Sequence, residues 1–377
     1  MRPRQPASHK EGKRRAANKS GRPRIRNQPA KKAPATREDE VLIARRGLAA
    51  LMGAGLFSML CASASLAQTT LRFSHTDTPV GSRQKAAELF AQKVEEYSKG
   101  KLKVQVFHSG QLANDPKAVE QLQLGGIDFT VTATGTYATQ NRALNLAGLP
   151  FLVDSYEQGW KLYDESPYLK SQFDELPKKG IRILSTWEAG FRSFTTKEPL
   201  ASPADAKGKK MRVFPNDMIR WIVESIGFSP IVLPVTEVYL AIQQGTVIGQ
   251  ENPTDTIYSL RFYEVAPNIT LTRHVYSPLP LAIAEATWQR LSTEEREAVS
   301  KAAKDSSALS RKLVRDDEEK QLAEMAAKGA KIAKPAIGPF RDAVQPVYQK
   351  AKDAYGAKDV DAMLASAQAI RQALPSN

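Results

Sequence analysis

A β-strand is predicted at Thr70-Leu-Arg-Phe-Ser-His75, where apolar and polar side chains alternate. Residues 81–98 follow with apolar side chains on one face of a predicted helix, which ends before Gly100. Two further strands are predicted over 102–106 and 127–133. Between them a helix is predicted with Asp115 as its N-cap and Pro116 as its first helical residue. This order of strand, helix, strand, helix and strand indicates a parallel sheet with right-handed crossovers.

Ligands on such sheets bind beyond the carboxyl ends of the strands. The three ends in this sequence are Ser74-His75-Thr76, Phe107-His108-Ser109 and Ala133-Thr134-Gly135. His75 either donates a hydrogen bond to a ligand or is a structural histidine with protein partners. Thr134 has the same two interpretations. Both residues are therefore candidates for a ligand site.

The rest of the chain adds further α/β segments and then helices. Helices are predicted near 155–164 and 166–176, over 218–226 and over 236–244. Strands are predicted over 181–187, 192–196, 211–215 and 247–252, and residues 270–285 are predicted to form one or two strands. The C-terminal part is nearly all helical, with helices predicted over 294–328, 338–354 and 358–373. A chain of this size usually exceeds a single core, so two lobes are expected.

The positive charge of the chain is concentrated at its N-terminus. The 377 residues carry a net charge of +14, and residues 1–46 contain 15 Lys and Arg against four Asp and Glu. The charges of residues 68–377 are close to balance, with 39 Lys and Arg against 36 Asp and Glu. This part of the chain therefore gives no support for nucleic-acid binding. Residues 1–40 are a basic tail for nucleic acid or an anionic membrane, a disordered leader, or the result of a start codon assigned too early.

A signal peptide is predicted next. Arg45-Arg46 precedes the short apolar segment 47–60, and small residues follow up to Ala67, where cleavage before Gln68 is expected. The apolar segment is too short to span a membrane, which takes about 20 residues. The sequence therefore predicts an exported, periplasmic protein with a mature part of 310 residues. Arg45-Arg46 also allows a twin-arginine signal.

Motifs for enzymes and metal sites are missing from the sequence. Cys61 is the sole cysteine and lies in the signal peptide, where a lipoprotein site is disfavoured because Leu60 precedes it. The four histidines form no close pair of metal ligands, and there is no GxSxG motif or phosphate-binding loop. No catalytic residue, metal or cofactor is predicted, and the missing motifs argue against catalysis.

Two arginines lie in unusual surroundings for charged residues. Arg192 and Arg212 are both interleaved with apolar or aromatic residues at strand spacing. One interpretation is that they lie at a sheet edge with their stems packed and their guanidinium groups in water. The other is that they reach into a cleft and bind a carboxylate through two parallel hydrogen bonds.

Several segments resemble one family of binding proteins. They are Gly110-Gln-Leu, Leu122-Gln-Leu-Gly-Gly-Ile-Asp128, Gly148-Leu-Pro-Phe151, Gly190-Phe-Arg-Ser-Phe-Thr-Thr-Lys197, Pro203-Ala-Asp-Ala-Lys-Gly-Lys-Lys-Met-Arg-Val213 and the segment Pro234–Pro253. Together they resemble the DctP family, the solute-binding proteins of tripartite ATP-independent periplasmic (TRAP) transporters. The resemblance covers nearly the whole mature chain in the expected order.

The resemblance implies a periplasmic-binding-protein-like fold. Two α/β lobes would enclose a ligand cleft, with a long connecting helix and a helical C-terminus. Lobe I would comprise 68–189 and 278–317, and lobe II would comprise 190–277 and 318–377. Residues 1–67 would be the basic leader and the signal peptide.

The resemblance also implies the ligand and its contacts. The ligand would be a small organic acid such as a C4-dicarboxylate or a sugar acid, with its carboxylate on Arg212. Arg192 would add a second cationic contact, Asn252 a hydrogen bond to the same carboxylate, and Val235 an apolar contact. This chain has Ile248 where the family often has Asp, which puts in doubt one local hydrogen bond.

The expected function is therefore capture of an organic acid in the periplasm and its delivery to a TRAP permease with a small and a large membrane subunit. The expected protein is a monomer, without enzymatic activity, cofactor or nucleic-acid partner. Two alternatives stay open at this point. One is a secreted enzyme that uses the arginines as substrate clamps and Glu188 or Glu237 as a general base. The other is a ligand sensor for a membrane receptor.

Overall fold

The computed structural model describes residues 68–374, which belong to one compact unit. The predicted leader and signal peptide, residues 1–67, lie outside the described residues. The strands of the described part are β1 (Thr69–Ser74), β2 (Leu102–Phe107), β3 (Phe129–Val131), β4 (Ile181–Thr196), β5 (Lys210–Val213), β6 (Ser229–Val232), β7 (Gly249–Pro253), β8 (Asn268–Ala284) and β9 (Lys331–Ala333).

Thirteen α-helices connect and cover these strands within residues 68–374. They are α1 (Ser82–Tyr97), α2 (Asp115–Gln123), α3 (Tyr156–Glu165), α4 (Pro167–Asp174), α5 (Asp217–Ile226), α6 (Val238–Gln243), α7 (Thr254–Ser259), α8 (Phe262–Val265), α9 (Glu285–Arg290), α10 (Thr293–Ala327), α11 (Gly338–Ala343), α12 (Gln345–Tyr355) and α13 (Ala357–Ala373).

The strands form a single sheet in the order β2-β1-β3-β8-β4-β7-β5-β6, and β9 pairs with one end of β8. We call β2, β1 and β3 the first half of the sheet and β7, β5 and β6 the second half; β8 and β4 lie between them. Within the first half β1 pairs in parallel with both β2 and β3, as the sequence predicts. The second half is also parallel, with β5 between β6 and β7.

The central strand β4 is longer than predicted, whereas β8 lies close to the predicted 270–285. The sequence predicts two strands over 181–187 and 192–196, whereas β4 is continuous through both. Its antiparallel register with β8 shifts between Glu188 and Phe191, and Gly190 there has a φ of +104°, which favours glycine. An irregularity of this kind bends a strand without ending it, so the two segments form one element.

The start of α2 differs by one residue from the prediction. The cap is Asn114, whose side-chain oxygen accepts a hydrogen bond from the Lys117 backbone N–H. Asp115 is therefore the first helical residue. Its carboxylate is free of the capping role and faces the cavity described below.

The C-terminal helices follow the prediction closely. Helix α10 has 35 residues and begins at a capping box in which Ser292 and Glu295 exchange hydrogen bonds. The helix predicted over 338–354 is divided at Val344 into α11 and α12. Within residues 68–374, no helix combines the length and apolar character needed to cross a membrane.

The boundaries predicted for the lobes fall inside elements of the sheet. Gly190 lies within β4 and Pro278 within β8, so neither position is a linker. Residues 146–169 pack in the same hydrophobic cluster as α5 and the helices between 340 and 370. The division into two lobes stays a prediction.

Candidate ligand-binding site

A cavity lies where the two halves of the sheet meet. It is lined by residues that follow β1 and β3, by the beginnings of α1 and α2, and by residues of β4, β5 and β7. This is the carboxyl end of the parallel strands, where ligands of open α/β sheets bind.

Arg212 lies in this cavity without a carboxylate partner. Its side chain belongs to β5, is 2% exposed, and donates from Nε to the Leu233 carbonyl oxygen at 2.9 Å. Among residues 68–374, no carboxylate oxygen lies within 4.0 Å of its nitrogens, and its two Nη groups have no hydrogen-bond partner. Burial lowers the pKa of Arg212 to about 10, so the guanidinium is charged at neutral pH. A buried and unpaired cation is costly, and an anionic ligand would compensate it.

Arg192 also lines the cavity, but its charge is already compensated. Its guanidinium forms a two-point ion pair with Glu251 of β7, with Nη2 2.8 Å from Oε1. Nη2 also donates to the Glu251 carbonyl oxygen, and Nη1 donates to Ser277 Oγ at 3.2 Å. No local pattern in the sequence predicts this ion pair. Arg192 therefore has little freedom to move, and one face of it packs on the Phe214 ring.

Glu251 is fully buried and keeps its charge because of its neighbours. Burial is the largest single influence on the carboxyl and raises its pKa, but Arg192 and His274 together outweigh burial and hold the pKa of Glu251 below its ordinary value. His274 Nε2 lies 3.4 Å from Glu251 Oε2, and His274 Nδ1 lies 2.7 Å from Thr272 Oγ1. Burial lowers the pKa of His274, which keeps the ring neutral.

Asn252 and Val235 both line the cavity, as the resemblance implies for a contact with ligand. Asn252 Oδ1 accepts from Arg192 Nη2 at 3.1 Å, and its Nδ2 donates to Gln250 Oε1. Val235 is half-buried and begins the short 3-10 turn Val235–Glu237. Arg212, Arg192, Asn252 and Val235 are thus brought together around one cavity, although their roles in binding stay predictions.

His75 is not brought to the cavity wall. Its ring is buried, with Nε2 2.8 Å from Gln84 Oε1, and Nδ1 accepts from the Asp77 backbone N–H at 3.2 Å. This pattern places the ring proton on Nε2. Burial, together with the charge of Arg83, lowers the pKa of His75 to about 4. Of the two interpretations given above, these contacts favour the structural one.

Thr134 lies in a smaller cavity that adjoins the first. It shares this space with Tyr163 and Asn216, and its Oγ1 has no hydrogen-bond partner within the described part of the chain. The smaller cavity also touches Arg192 and Phe214, which line both spaces. Thr134 therefore shares a cavity with Arg192 but not with Arg212.

Two charged residues of the cavity were missed by the sequence analysis. Arg83, in the first turn of α1, and Asp115, the first residue of α2, both line the cavity with Arg212. Arg83 belongs to an amphipathic helix and Asp115 to a predicted helix start, so each had an ordinary local explanation. The one available signal was position, because both lie just beyond the carboxyl ends of predicted parallel strands.

Comparisons with known proteins agree with this geometry. Residues 73–354 match the DctP family, described as bacterial extracellular solute-binding protein, family 7. The chain belongs to this family. The sialic acid-binding periplasmic protein SiaP of Vibrio cholerae is 32% identical over 294 residues, which cover 77% of this chain and 91% of SiaP.

Solved structures show the same fold. The sugar acid binding protein DctPAm of Advenella mimigardefordensis, in complex with galactonate, has a TM-score of 0.78 and 31% identity, covering 80% of this chain and 99% of that one. A TRAP periplasmic solute-binding protein of Sulfurospirillum deleyianum with bound succinate has a TM-score of 0.75 and 28% identity. The match covers 80% of this chain and 98% of that one. The predicted α/β fold with a long helix and C-terminal helices is confirmed.

Membership of the DctP family confirms the main functional prediction. This is a family of solute-binding proteins of TRAP transport and not of enzymes, so the secreted-enzyme alternative is set aside. Relatives of the chain are periplasmic proteins.

Proposed function

We propose that this DctP-family protein captures a small organic acid by placing the ligand carboxylate on Arg212. The observation that supports this is a buried guanidinium in the cavity wall with no carboxylate within 4.0 Å among residues 68–374. A planar guanidinium binds a carboxylate through two parallel hydrogen bonds, which fixes the orientation of the ligand as well as its charge.

Neighbouring residues complete the carboxylate site in this proposal. Asn252 and Arg192 lie at the same wall and add polar contacts, while Val235 covers the apolar part of the ligand. The ion pair with Glu251 holds Arg192 in place, so the site is ordered before the ligand arrives. Preorganisation of this kind reduces the entropy lost on binding.

Movement of two lobes would admit and release the ligand. The long strands β4 and β8 connect both halves of the sheet, and their register shifts beside Gly190 and Arg192. Hinges are commonly a few such residues that absorb a change in backbone angles. Closure would exclude water from the cavity and strengthen the contacts of Arg212.

Membership of the family supports delivery to a TRAP permease, and in this proposal the permease has a small and a large membrane subunit. Export through the predicted signal peptide with cleavage near Ala67, and function as a monomer in the periplasm, belong to the same proposal. The ligands named for the relatives, sialic acid, galactonate and succinate, all carry a carboxylate. Sugar acids and C4-dicarboxylates are therefore the first compounds to test.

A thermal-unfolding screen of the purified protein against an organic-acid panel tests the proposal. An acid present at 100 times its dissociation constant should stabilise the protein by about 2.7 kcal/mol. The stabilising acid should be recovered chemically unchanged after release, as mass spectrometry can show. No stabilisation by any carboxylate, or stabilisation equally by the matching neutral amides, would contradict a carboxylate site.

A further inference from the structure

Asp255 is a buried carboxylate that lies outside the lining of the ligand cavity. It belongs to the first turn of α7, which follows β7 in the second half of the sheet, and it is 5% exposed. Its Oδ2 accepts a hydrogen bond from Ser82 Oγ at 2.6 Å, and its Oδ1 accepts one from Gln321 Nε2 at 3.0 Å. Ser82 is the first residue of α1, which follows β1 in the first half. Asp255 therefore connects the two halves to each other and to the long helix α10.

Helix α10 packs against both α1 and α7, but in different parts of its length. Tyr97, the last residue of α1, donates to Asp305 at 2.6 Å, whereas Tyr258 of α7 donates to Glu324 near the end of α10. A bend in α10 between these contacts would move Ser82 away from Asp255 and leave α7 on α10. Opening of this kind would admit water to the Asp255 carboxylate on the side that Ser82 covers.

The surroundings of Asp255 oppose its ionisation while the two halves are in contact. The buried carboxylate of Asp77, after β1, accepts hydrogen bonds from the backbone N–H groups of Thr78 and Arg83. Burial, followed by the negative charge of Asp77, raises the pKa of Asp255 to about 6, although its two hydrogen bonds and the charge of Arg83 act in the opposite direction. The other charged residues that face this junction line the groove beside Asp255 and are Lys85 of α1 and Asp317, Lys320 and Glu324 of α10.

The junction also offers hydrogen-bond acceptors to a protonated Asp255. Gln321 Oε1 is buried and has no hydrogen-bond partner among residues 68–374. A carboxylic acid donates through its O–H and accepts through its carbonyl oxygen, whereas a carboxylate can only accept. Asp255 in its acid form can therefore donate to Ser82 Oγ or to Gln321 Oε1, and its negative charge beside Asp77 disappears.

We propose that Asp255 makes closure of the two halves, and with it capture of the organic acid, dependent on uptake of a proton. The inference rests on the proposed function, because it takes ligand binding to bring the halves together. In the open form Asp255 would be hydrated and farther from Asp77, so its pKa should approach the ordinary 3.8. Closure would raise this pKa to about 6, so the closed form binds the proton more tightly. A fall in pH should therefore favour the closed, ligand-bound form.

Isothermal titration calorimetry of the purified protein with D-galactonate tests this inference. A carboxyl whose pKa rises from 3.8 to about 6 on closure should give about ten-fold tighter binding at pH 5.0 than at pH 7.5. Titrations in buffers of different ionisation enthalpy count the protons, and we expect uptake of about one proton per ligand at pH 5.0 and almost none at pH 7.5. If another acid of the panel binds instead, it replaces D-galactonate in the same experiment.

Variants assign the proton to Asp255. Asp255→Asn should remove this pH dependence, because an amide does not take up the proton, and should bind at pH 7.5 at least as tightly as the wild type. Asp317→Asn is the matched control, since Asp317 lines the same groove but does not share the hydrogen bonds of Asp255; it should keep the wild-type response. Ser82→Ala removes a donor to the ionised carboxylate and should weaken binding more at pH 7.5 than at pH 5.0.

The comparison with Asp255→Asn is needed because other buried carboxyls also titrate. Burial raises the pKa of Glu188 to about 7 and that of Asp115 above its ordinary value. Their contributions stay in the variant and cancel in the difference from the wild type. Thermal unfolding without ligand shows whether each variant is folded.

The possible outcomes distinguish the two proposals. If the wild type binds the acid through Arg212 with no gain in affinity at pH 5.0, or if Asp255→Asn keeps the full response to pH, the proton-linked closure is wrong and the proposed function stands. If no acid of the panel binds, or if Arg212→Ala binds as tightly as the wild type, the proposed function fails and the role of Asp255 with it.

Discussion

Arg212 and Arg192 lie on strands that flank β7, and both are buried in the wall of one cavity, yet only Arg192 has a carboxylate partner in the described part of the chain. Glu251, on the strand between them, turns its side chain to Arg192. The Glu251 carboxylate does not contact Arg212, but its negative charge favours the protonated form of the Arg212 guanidinium. The two arginines therefore differ in function: one is fixed by the protein and the other is available to an anion.

The availability of Arg212 leads to the first prediction. Arg212→Ala should weaken binding of a carboxylate ligand such as D-galactonate by about 3–5 kcal/mol, because the ligand anion would be left buried without its cation. Arg212→Lys should lose less, since the charge stays but the two-point geometry does not. Calorimetry measures both. Arg220→Ala, at a partly exposed arginine of α5, is the control and should bind as the wild type does; an Arg212→Ala protein of wild-type affinity would contradict the assignment.

The ion pair of Arg192 leads to the second prediction, which concerns stability. Glu251→Gln should lower the free energy of unfolding by about 3–5 kcal/mol, because it leaves the Arg192 charge buried and uncompensated. Urea unfolding measures this. Replacing both partners, with Arg192→Met and Glu251→Leu together, should recover most of the loss, since no buried charge remains.

A surface pair provides the comparison for Glu251. Glu264 forms an ion pair with the exposed Arg261. Glu264→Gln should change the free energy of unfolding by less than about 1 kcal/mol, the usual worth of an exposed pair. If Glu251→Gln costs no more than Glu264→Gln, the buried pair is not what holds this part of the cavity wall.

His75 leads to a prediction about pH. Burial and the nearby Arg83 lower the pKa of His75 to about 4 in the folded protein, against 6.5 for an ordinary histidine. Between pH 6.5 and 4 the unfolded chain therefore binds a proton that the folded protein does not, and stability falls as the pH falls. Relative to His75→Gln, the wild-type protein should lose about 3 kcal/mol of unfolding free energy between pH 7.5 and pH 4.

The comparison of the two proteins is what makes the pH experiment specific. Other groups titrate in the same range, and their contributions cancel in the difference between wild type and His75→Gln. Urea unfolding at several pH values gives that difference. A constant difference from pH 7.5 to pH 4 would mean that His75 is free to take up a proton in the folded protein, against the contacts seen with Gln84 and Asp77.

The sequence predicted the parts of the fold that depend on local pattern. The parallel unit of β1, β2 and β3 follows from alternation and helical periodicity, and the limits of α10 differ by one residue at each end. The continuity of β4 was not predictable in this way, because a positive φ at Gly190 and a shift in register depend on pairing with β8. Periodicity describes a strand but not its partner.

The candidate site was predictable only in part, for a similar reason. Arg212 was singled out because a charged residue lies in an apolar strand and because its segment resembles a family motif. The pairing of Arg192 with Glu251 spans 59 positions of the sequence, so no local pattern reports it. Arg83 and Asp115 have helical explanations in isolation, and the sheet alone brings them to the same wall as Arg212.

Gly135 leads to the last prediction, which tests movement between the two halves of the sheet. It lies in the 3-10 turn Thr134–Thr139 after β3, and a Cβ at this position would lie 2.1 Å from Asn216 Nδ2, on the other half. Asn216 cannot easily move away, since it donates to Asn145 Oδ1 at 2.8 Å and accepts from the Ile219 backbone N–H at 3.0 Å. Gly135→Ala should therefore oppose the close approach of the two halves.

We expect Gly135→Ala to weaken ligand binding about ten-fold, corresponding to the 1–3 kcal/mol typical of overpacking. The unfolding free energy of the ligand-free protein should change little, because the two halves can separate there. Gly338→Ala is the matched control, since a Cβ at Gly338 meets no atom of residues 68–374 within 4 Å. Calorimetry with D-galactonate and urea unfolding without ligand measure the two effects. An equal loss of stability with and without ligand would show that Gly135 and Asn216 stay in contact throughout, which is incompatible with opening at this place.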